Sequence, residues 1–347
     1  MACSVDNREP KDLCGESEAV SWQEAMKLAV RDTKQLLSLL NLRREDVQGL
    51  DNSSFPVFVP LEYLRRIKKS SPDDPLLLQV LPVELENVDT AGFVTDPVAD
   101  ARFEAAPGLL HKYPGRVLFI TSGACGVHCR YCFRRHYPYQ TAPKSLQQWE
   151  ASLNYIQNDN SISEVILSGG DPLTIVDSVL HELIKRIEQI SHVKRLRIHT
   201  RMPVVIPQRV TTEFCEMLNQ SRVSKWVVLH TNHPQEIDAQ VAASVKRLHD
   251  SGATILNQAV LLKGVNDTES VLSELCERLV DIQVVPYYIN LLDQVAGAAH
   301  FMVPLSRGIE IMQYLRETLP GYAVPRFVQD RANLEWDAPP KSKTSLL

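Results

Sequence analysis

The stretch Val117-Leu118-Phe119-Ile120-Thr121-Ser122-Gly123-Ala124-Cys125-Gly126-Val127-His128-Cys129-Arg130-Tyr131-Cys132 decides how the rest of the chain is read. Its first five residues form an apolar, partly β-branched run, which predicts a buried strand. The strand runs directly into three cysteines spaced C-x-x-x-C-x-x-C, which place three soft sulfur ligands on one loop.

Three is the informative number. A cubane bound by three protein sulfurs keeps one iron open, and that iron can chelate the amino and carboxylate groups of S-adenosylmethionine. An electron passed to the sulfonium then gives a 5′-deoxyadenosyl radical, chemistry that belongs to the cofactor and that the protein positions. The competing reading is a structural zinc site, with His128 or His136 as fourth ligand. The other cysteines, Cys3, Cys14, Cys215 and Cys276, are isolated and read as ordinary thiols.

Working outward, further strand-like runs occur at Val165–Ser168, Leu196–His199, Trp226–His230, Thr254–Gln258 and Gln283–Tyr288. Helical patterns fill the gaps near Ser145–Gln157, Asp177–Ile190, Thr211–Asn219, Gln235–His249, Thr268–Leu279 and Leu305–Thr318. Repeated βα units need right-handed crossovers and a parallel sheet, so the rhythm predicts a partial (β/α)6 barrel over residues 116–320, with a doubly wound open sheet as the alternative. Residues 1–115 read as an N-terminal helical subdomain, with one amphipathic helix over Ser21–Leu40 and a short one over Leu61–Lys69. Residues 321–347 form a C-terminal segment. The polar clusters Gly169-Gly170-Asp171, His199-Thr200-Arg201, His230-Thr231-Asn232 and Asn257-Gln258 all fall at strand ends, where barrel enzymes carry their active sites.

Composition narrows the class. Hydrophobic residues make up 44% and charged residues 23%, the balance of a folded enzyme. The net charge of −5, without a dense Lys/Arg run, supplies no field for nucleic acid. Charged residues Asp6, Arg8, Glu9, Lys11 and Asp12 stand where a signal peptide would be apolar, and no apolar run approaches the roughly 20 residues of a membrane span. A cytoplasmic protein is expected.

The cysteine spacing, with Tyr131 just before Cys132, resembles the signature of the radical S-adenosylmethionine superfamily. Gly169-Gly170-Asp171 is similar to the segment that receives the methionine amino group there, although two glycines taken alone more readily suit a tight turn with Asp171 capping the next helix. Three longer stretches, Cys132-Phe133-Arg134-Arg135, Arg201-Met202-Pro203-Val204-Val205-Ile206-Pro207-Gln208-Arg209 and Asn257 to Asp267, resemble the lysine 2,3-aminomutase family. Within it, Leu291-Leu292-Asp293 and Gly297-Ala298-Ala299-His300-Phe301 are most similar to the branch that makes (R)-β-lysine for elongation factor P.

The resemblance implies a [4Fe-4S] cluster on Cys125, Cys129 and Cys132, S-adenosyl-L-methionine, and pyridoxal 5′-phosphate bound to Lys343 in Ser342-Lys343-Thr344 rather than to Lys341. It implies that Tyr113, Arg116 and Gln258 hold the pyridoxal phosphate and that Arg134 pairs with the α-carboxylate of L-lysine. It also implies that Asp293 pairs with the ε-ammonium. For a second carboxylate Asp330 and Asp337 both offer partial matches. An external one-electron donor such as flavodoxin and a functional link to the elongation factor P lysyl ligase are the implied partners. A catabolic lysine or glutamate 2,3-aminomutase is the nearest alternative, and a zinc-binding non-catalytic protein the distant one.

Overall fold

The computed structural model describes residues 20–51, 55–140, 142–143, 145–330 and 344–345. One sheet contains ten strands in chain order: β1 Glu104–Ala106, β2 Leu109–Tyr113, β3 Arg116–Ser122, β4 Glu164–Gly169, β5 Arg195–Thr200, β6 Ser224–His230, β7 Thr254–Val260, β8 Val285–Asn290, β9 Arg326–Gln329 and β10 Thr344–Ser345. The six expected strands are β3 to β8, and all pair in parallel. Helices Leu146–Asn158, Asp177–Gln189, Thr212–Gln220, Ala239–Asp250, Glu269–Asp281 and Leu305–Thr318 follow them in turn.

Parallel strands that add in chain order through right-handed crossovers put every helix on the same face. A sheet covered on one face curls around the other, which is the partial barrel. A doubly wound sheet would need the strand order to reverse, and here it does not. Among the described residues no ladder joins β10 to β1, so the barrel is open.

The sheet extends past the expected six strands at both ends. The turn Tyr113-Pro114-Gly115-Arg116, with Gly115 at φ +76°, folds β2 antiparallel onto β3, so sheet structure begins at Glu104, ahead of residue 115. After residue 320, β9 adds parallel to β8 and β10 antiparallel to β9.

The helix expected over Ser21–Leu40 is two helices, Trp22–Leu28 and Thr33–Leu39. Ser21 accepts from Glu24 N–H and caps the first, and Asp32 accepts from Gln35 N–H and caps the second. Between them the Val30 backbone exchanges hydrogen bonds with Val59 at 2.8 and 2.9 Å, which replaces the helical ladder there. The stretch after Pro60 gives only a four-residue helix, Leu61–Leu64. Leu36, Tyr63 and Leu76 from this N-terminal part are buried in the same apolar cluster as Phe119, Trp149 and Leu167 of the barrel. Among the described residues no helix is long and apolar enough to cross a membrane.

Candidate active site

The cysteine loop leaves the C-terminal end of β3 and is clamped by the N-terminal part of the chain. His128 N–H donates to the Phe58 carbonyl and Arg130 N–H to the Gln79 carbonyl. Arg130, fully buried, forks onto Glu86 at 2.5 and 2.7 Å, and Arg135 reaches the same carboxylate at 2.6 Å. Burial pushes the Glu86 carboxyl up, but the two guanidiniums prevail and hold it below the ordinary carboxylate range. The N-terminal part thus fixes the backbone on either side of Cys129 and beyond Cys132.

The thiols stand near enough to act on one another electrostatically. Burial, followed by the charges of Cys132, Asp171 and Cys129, pushes the Cys125 thiol up, and burial followed by Cys129 pushes Cys132 up to about 11. Left alone, these two sulfurs favour the neutral thiol, and a bound metal is what would make them thiolates. Among the described residues no three His, Cys, Asp or Glu side chains are gathered as a single metal ion would hold them. His136 Nε2 bonds the Ala296 carbonyl, and His128 lies beside Phe55 and Phe58 with Nδ1 on the Pro56 carbonyl.

The turn after β4 meets this loop closely. Gly170 N–H donates to the Ser122 carbonyl and Asp171 N–H to the Ala124 carbonyl, both at 2.7 Å. A Cβ on Gly169, whose φ is +121°, would lie 2.5 Å from the Ser122 carbonyl oxygen, and one on Gly170 would lie 2.3 Å from that of Ala124. Only glycine permits that approach. Asp171 is buried and accepts from Leu173 N–H, Arg201 N–H, Met202 N–H and the Thr200 hydroxyl. Its side chain ties the ends of β4 and β5 together, and the bond from Leu173 N–H makes it the cap of the helical turn Pro172–Thr174 as well.

Sequence reading did not single out a role for Arg201, yet it is the hub of the buried polar network. One guanidinium nitrogen, Nη1, donates to Cys129 Sγ at 2.7 Å and to the Tyr131 hydroxyl at 2.6 Å. The other, Nη2, donates to Gln79 and Glu236, both at 2.8 Å. Tyr131 also bonds His230 Nε2 at 2.8 Å, and His230 Nδ1 bonds the Gln258 carbonyl. Burial and the nearby Arg201 charge lower His230 to about 3, so it is neutral at ordinary pH. The signal available in sequence was the position of His199-Thr200-Arg201 at a strand end.

The other expected site residues fall into two groups. Arg134 lines a cavity of about 260 Å³ together with Phe133, Asp96, Asp100 and Glu104. It donates through Nε to Asp100 at 2.7 Å and through Nη1 to the Ser168 hydroxyl at 3.3 Å. Asp293, half-buried, follows β8 and turns the chain through its carbonyl to Val295 N–H. Tyr113 and Arg116 face each other across the β2–β3 turn, the Arg116 guanidinium 4.5 Å from the ring centre. Because Arg116 opens β3, it lies the strand's length, roughly 20 Å, from the cysteine end.

Lys112, next to Tyr113, pairs with Asp330 at 2.9 Å. Thr344 pairs with Gln329, so β10 lies beside the segment leading to Asp330. Lys343, Lys341, Asp337, Cys3 and Cys14 lie outside the described residues. Cys215 and Cys276 are free thiols away from the loop.

The donor set fits a [4Fe-4S] cluster: three soft sulfurs on one loop, and beside Cys129 the buried Arg201 Nε, which has no hydrogen-bond partner among the described residues. Residues 119–275 match the signature of the radical SAM superfamily, so the curled βα sheet with a cysteine loop at its first parallel strand is that of a radical SAM enzyme, a class that uses a [4Fe-4S] cluster and S-adenosylmethionine. The chain is 44% identical over 317 residues to an L-lysine 2,3-aminomutase of Haemophilus influenzae, covering 91% of this chain and 94% of that one. It is 41% identical to one from Escherichia coli (89% and 91% covered) and 36% identical to one from Clostridium subterminale (89% and 75%). The chain belongs to the lysine 2,3-aminomutase family, whose members are pyridoxal-phosphate-dependent isomerases. Membership removes the zinc-binding, non-catalytic reading.

Proposed function

We propose that this enzyme moves the amino group of L-lysine from Cα to Cβ, giving (R)-β-lysine, and that the product serves the β-lysylation of elongation factor P. The observation that carries the reading is 44% identity maintained across 94% of the Haemophilus lysine enzyme, a span that includes the cysteine loop.

When bound, the cluster with S-adenosylmethionine supplies a hydrogen-abstracting radical, and pyridoxal phosphate supplies the conjugated group across which nitrogen migrates. Cys125, Cys129 and Cys132 hold the cluster. Gly169 and Gly170 present backbone to the methionine amino group, and Asp171 keeps that turn against the cysteine loop. Arg134 takes the substrate α-carboxylate, for which a planar guanidinium is suited, and Asp293 takes the ε-ammonium. Tyr113, Arg116 and Gln258 hold pyridoxal phosphate, which Lys343 binds covalently. The proximity of Lys112, Tyr113, Asp330 and β10 supports bringing the C-terminal segment to the Tyr113–Arg116 turn. A flavodoxin-like donor supplies the electron.

The reconstituted, reduced protein is incubated with S-adenosylmethionine, pyridoxal phosphate and either lysine or glutamate, and the product is resolved on a chiral column. (R)-β-lysine from lysine alone is expected. β-Glutamate would place the enzyme with the catabolic members instead. Borohydride should fix a pyridoxyl adduct on Lys343, and an adduct on Lys341 would overturn that assignment.

A further inference from the structure

We infer that Arg201 tunes the iron-sulfur cluster: by donating a hydrogen bond to Cys129 Sγ it raises the potential at which the cluster accepts its electron, and Glu236 holds the guanidinium in that position and moderates its charge. The inference rests on the reading of Cys125, Cys129 and Cys132 as cluster ligands.

The geometry leaves Arg201 little freedom. It is only 6% exposed, and its backbone N–H is fixed by Asp171 at 2.7 Å. The two acceptors on Nη2, Gln79 and Glu236, define the guanidinium plane and turn Nη1 toward Cys129 and Tyr131. Those acceptors are themselves held. Glu236, fully buried, accepts from Asn232 N–H at 2.9 Å, His233 N–H at 3.1 Å and Gln79 Nε2 at 3.3 Å. Gln79 Oε1 also accepts from Asn232 Nδ2 at 3.0 Å. The positive end of the Arg201–Glu236 pair therefore faces the sulfur, and the negative end faces away into the Asn232 turn.

A one-electron reduction adds a negative charge to the cluster. A cation and an N–H donor at one of its sulfurs stabilise that reduced state more than the oxidised one, because hydrogen bonds to sulfur and local net charge set cluster potentials. Glu236 opposes this from the far side of the guanidinium. The two residues therefore push the potential in opposite directions, whereas an ion pair that serves packing alone would move it with neither.

The test uses the full chain, reconstituted anaerobically as wild type, Arg201→Gln, Arg201→Lys and Glu236→Gln, with iron and sulfide counted before an EPR-monitored redox titration. At the poise that half-reduces the wild-type cluster, the reduced fraction should fall several-fold in Arg201→Gln, fall less in Arg201→Lys, and rise in Glu236→Gln. If Arg201→Gln does not assemble a cluster, Arg201→Lys and Glu236→Gln carry the test by the signs of their shifts. Unchanged potentials in the loaded variants, or shifts of the same sign in Arg201→Lys and Glu236→Gln, overturn the role of Arg201. A wild-type protein that takes up no iron and sulfide overturns the cysteine reading instead.

Discussion

Lys112 Nζ and Asp330 Oδ1 lie 2.9 Å apart, a contact between β2 and the residue after β9 that no strand ladder accompanies among the described residues. The lysine side chain is 13% exposed and the aspartate 20%, so the pair is partly desolvated and spans the open side of the barrel. It also accounts for part of the upward shift of Tyr113, which burial drives first and the Asp330 charge second.

For this pair, a double-mutant cycle with Lys112→Ala and Asp330→Ala in urea unfolding should give a coupling of about 1–2 kcal/mol, between surface and fully buried ion pairs. Additive losses would mean that the contact does not hold the two sides of the barrel together.

Gly170→Ala tests the close approach at the mouth of the barrel. The added Cβ meets the Ala124 carbonyl, backbone that cannot swing aside, so about 1–3 kcal/mol of stability should be lost. Because Ala124 directly precedes Cys125, iron and sulfide uptake should fall as well. Full uptake with an unchanged melting temperature would show that the loop yields freely.

The six central strands were legible because Val117, Val165, Ile198, Val227, Ile255 and Val285 sit in short apolar runs bounded by polar strand ends. Other elements lacked such local signals. β9 has four residues, Arg326-Phe327-Val328-Gln329, and β10 has two, so each exists only through its neighbour. The break at Val30 depends on Val59, far along the chain. The same limit applied to the site. The cysteine spacing is written within eight residues, whereas the network joins Arg201 to Gln79, Cys129, Tyr131 and Glu236 on three other segments of the chain. Arg134 stood out in the sequence by its place two residues after Cys132, but its pairing with Asp100 did not.

His230 gives a pH signature of folding. Its folded pKa, about 3, lies below its ordinary value, so between these limits the unfolded chain binds more protons than the folded one. Its contribution to stability is present above the unfolded pKa, about 6.5, and is lost as pH falls through the window down to about 3. In urea titrations across that window, His230→Gln should show a shallower loss of stability than wild type. Parallel profiles would mean that His230 is not held neutral in the fold.

Arg134→Lys separates substrate binding from structure. The lysine ammonium keeps the charge near Asp100 but gives up the fork that a carboxylate would use, so bonds worth about 1.5–3 kcal/mol are weakened or lost. If the substrate α-carboxylate docks there, kcat/KM for L-lysine falls about 10- to 100-fold, and equilibrium dialysis shows weaker lysine binding at unchanged iron, sulfide and pyridoxal phosphate content. Asp100→Asn is the companion variant. By removing the internal carboxylate that now engages Arg134 Nε, it should leave the guanidinium better able to receive the substrate, and lysine affinity should hold or rise even as stability drops. Equal lysine affinity in wild type and Arg134→Lys would confine Arg134 to the Asp100 and Ser168 contacts.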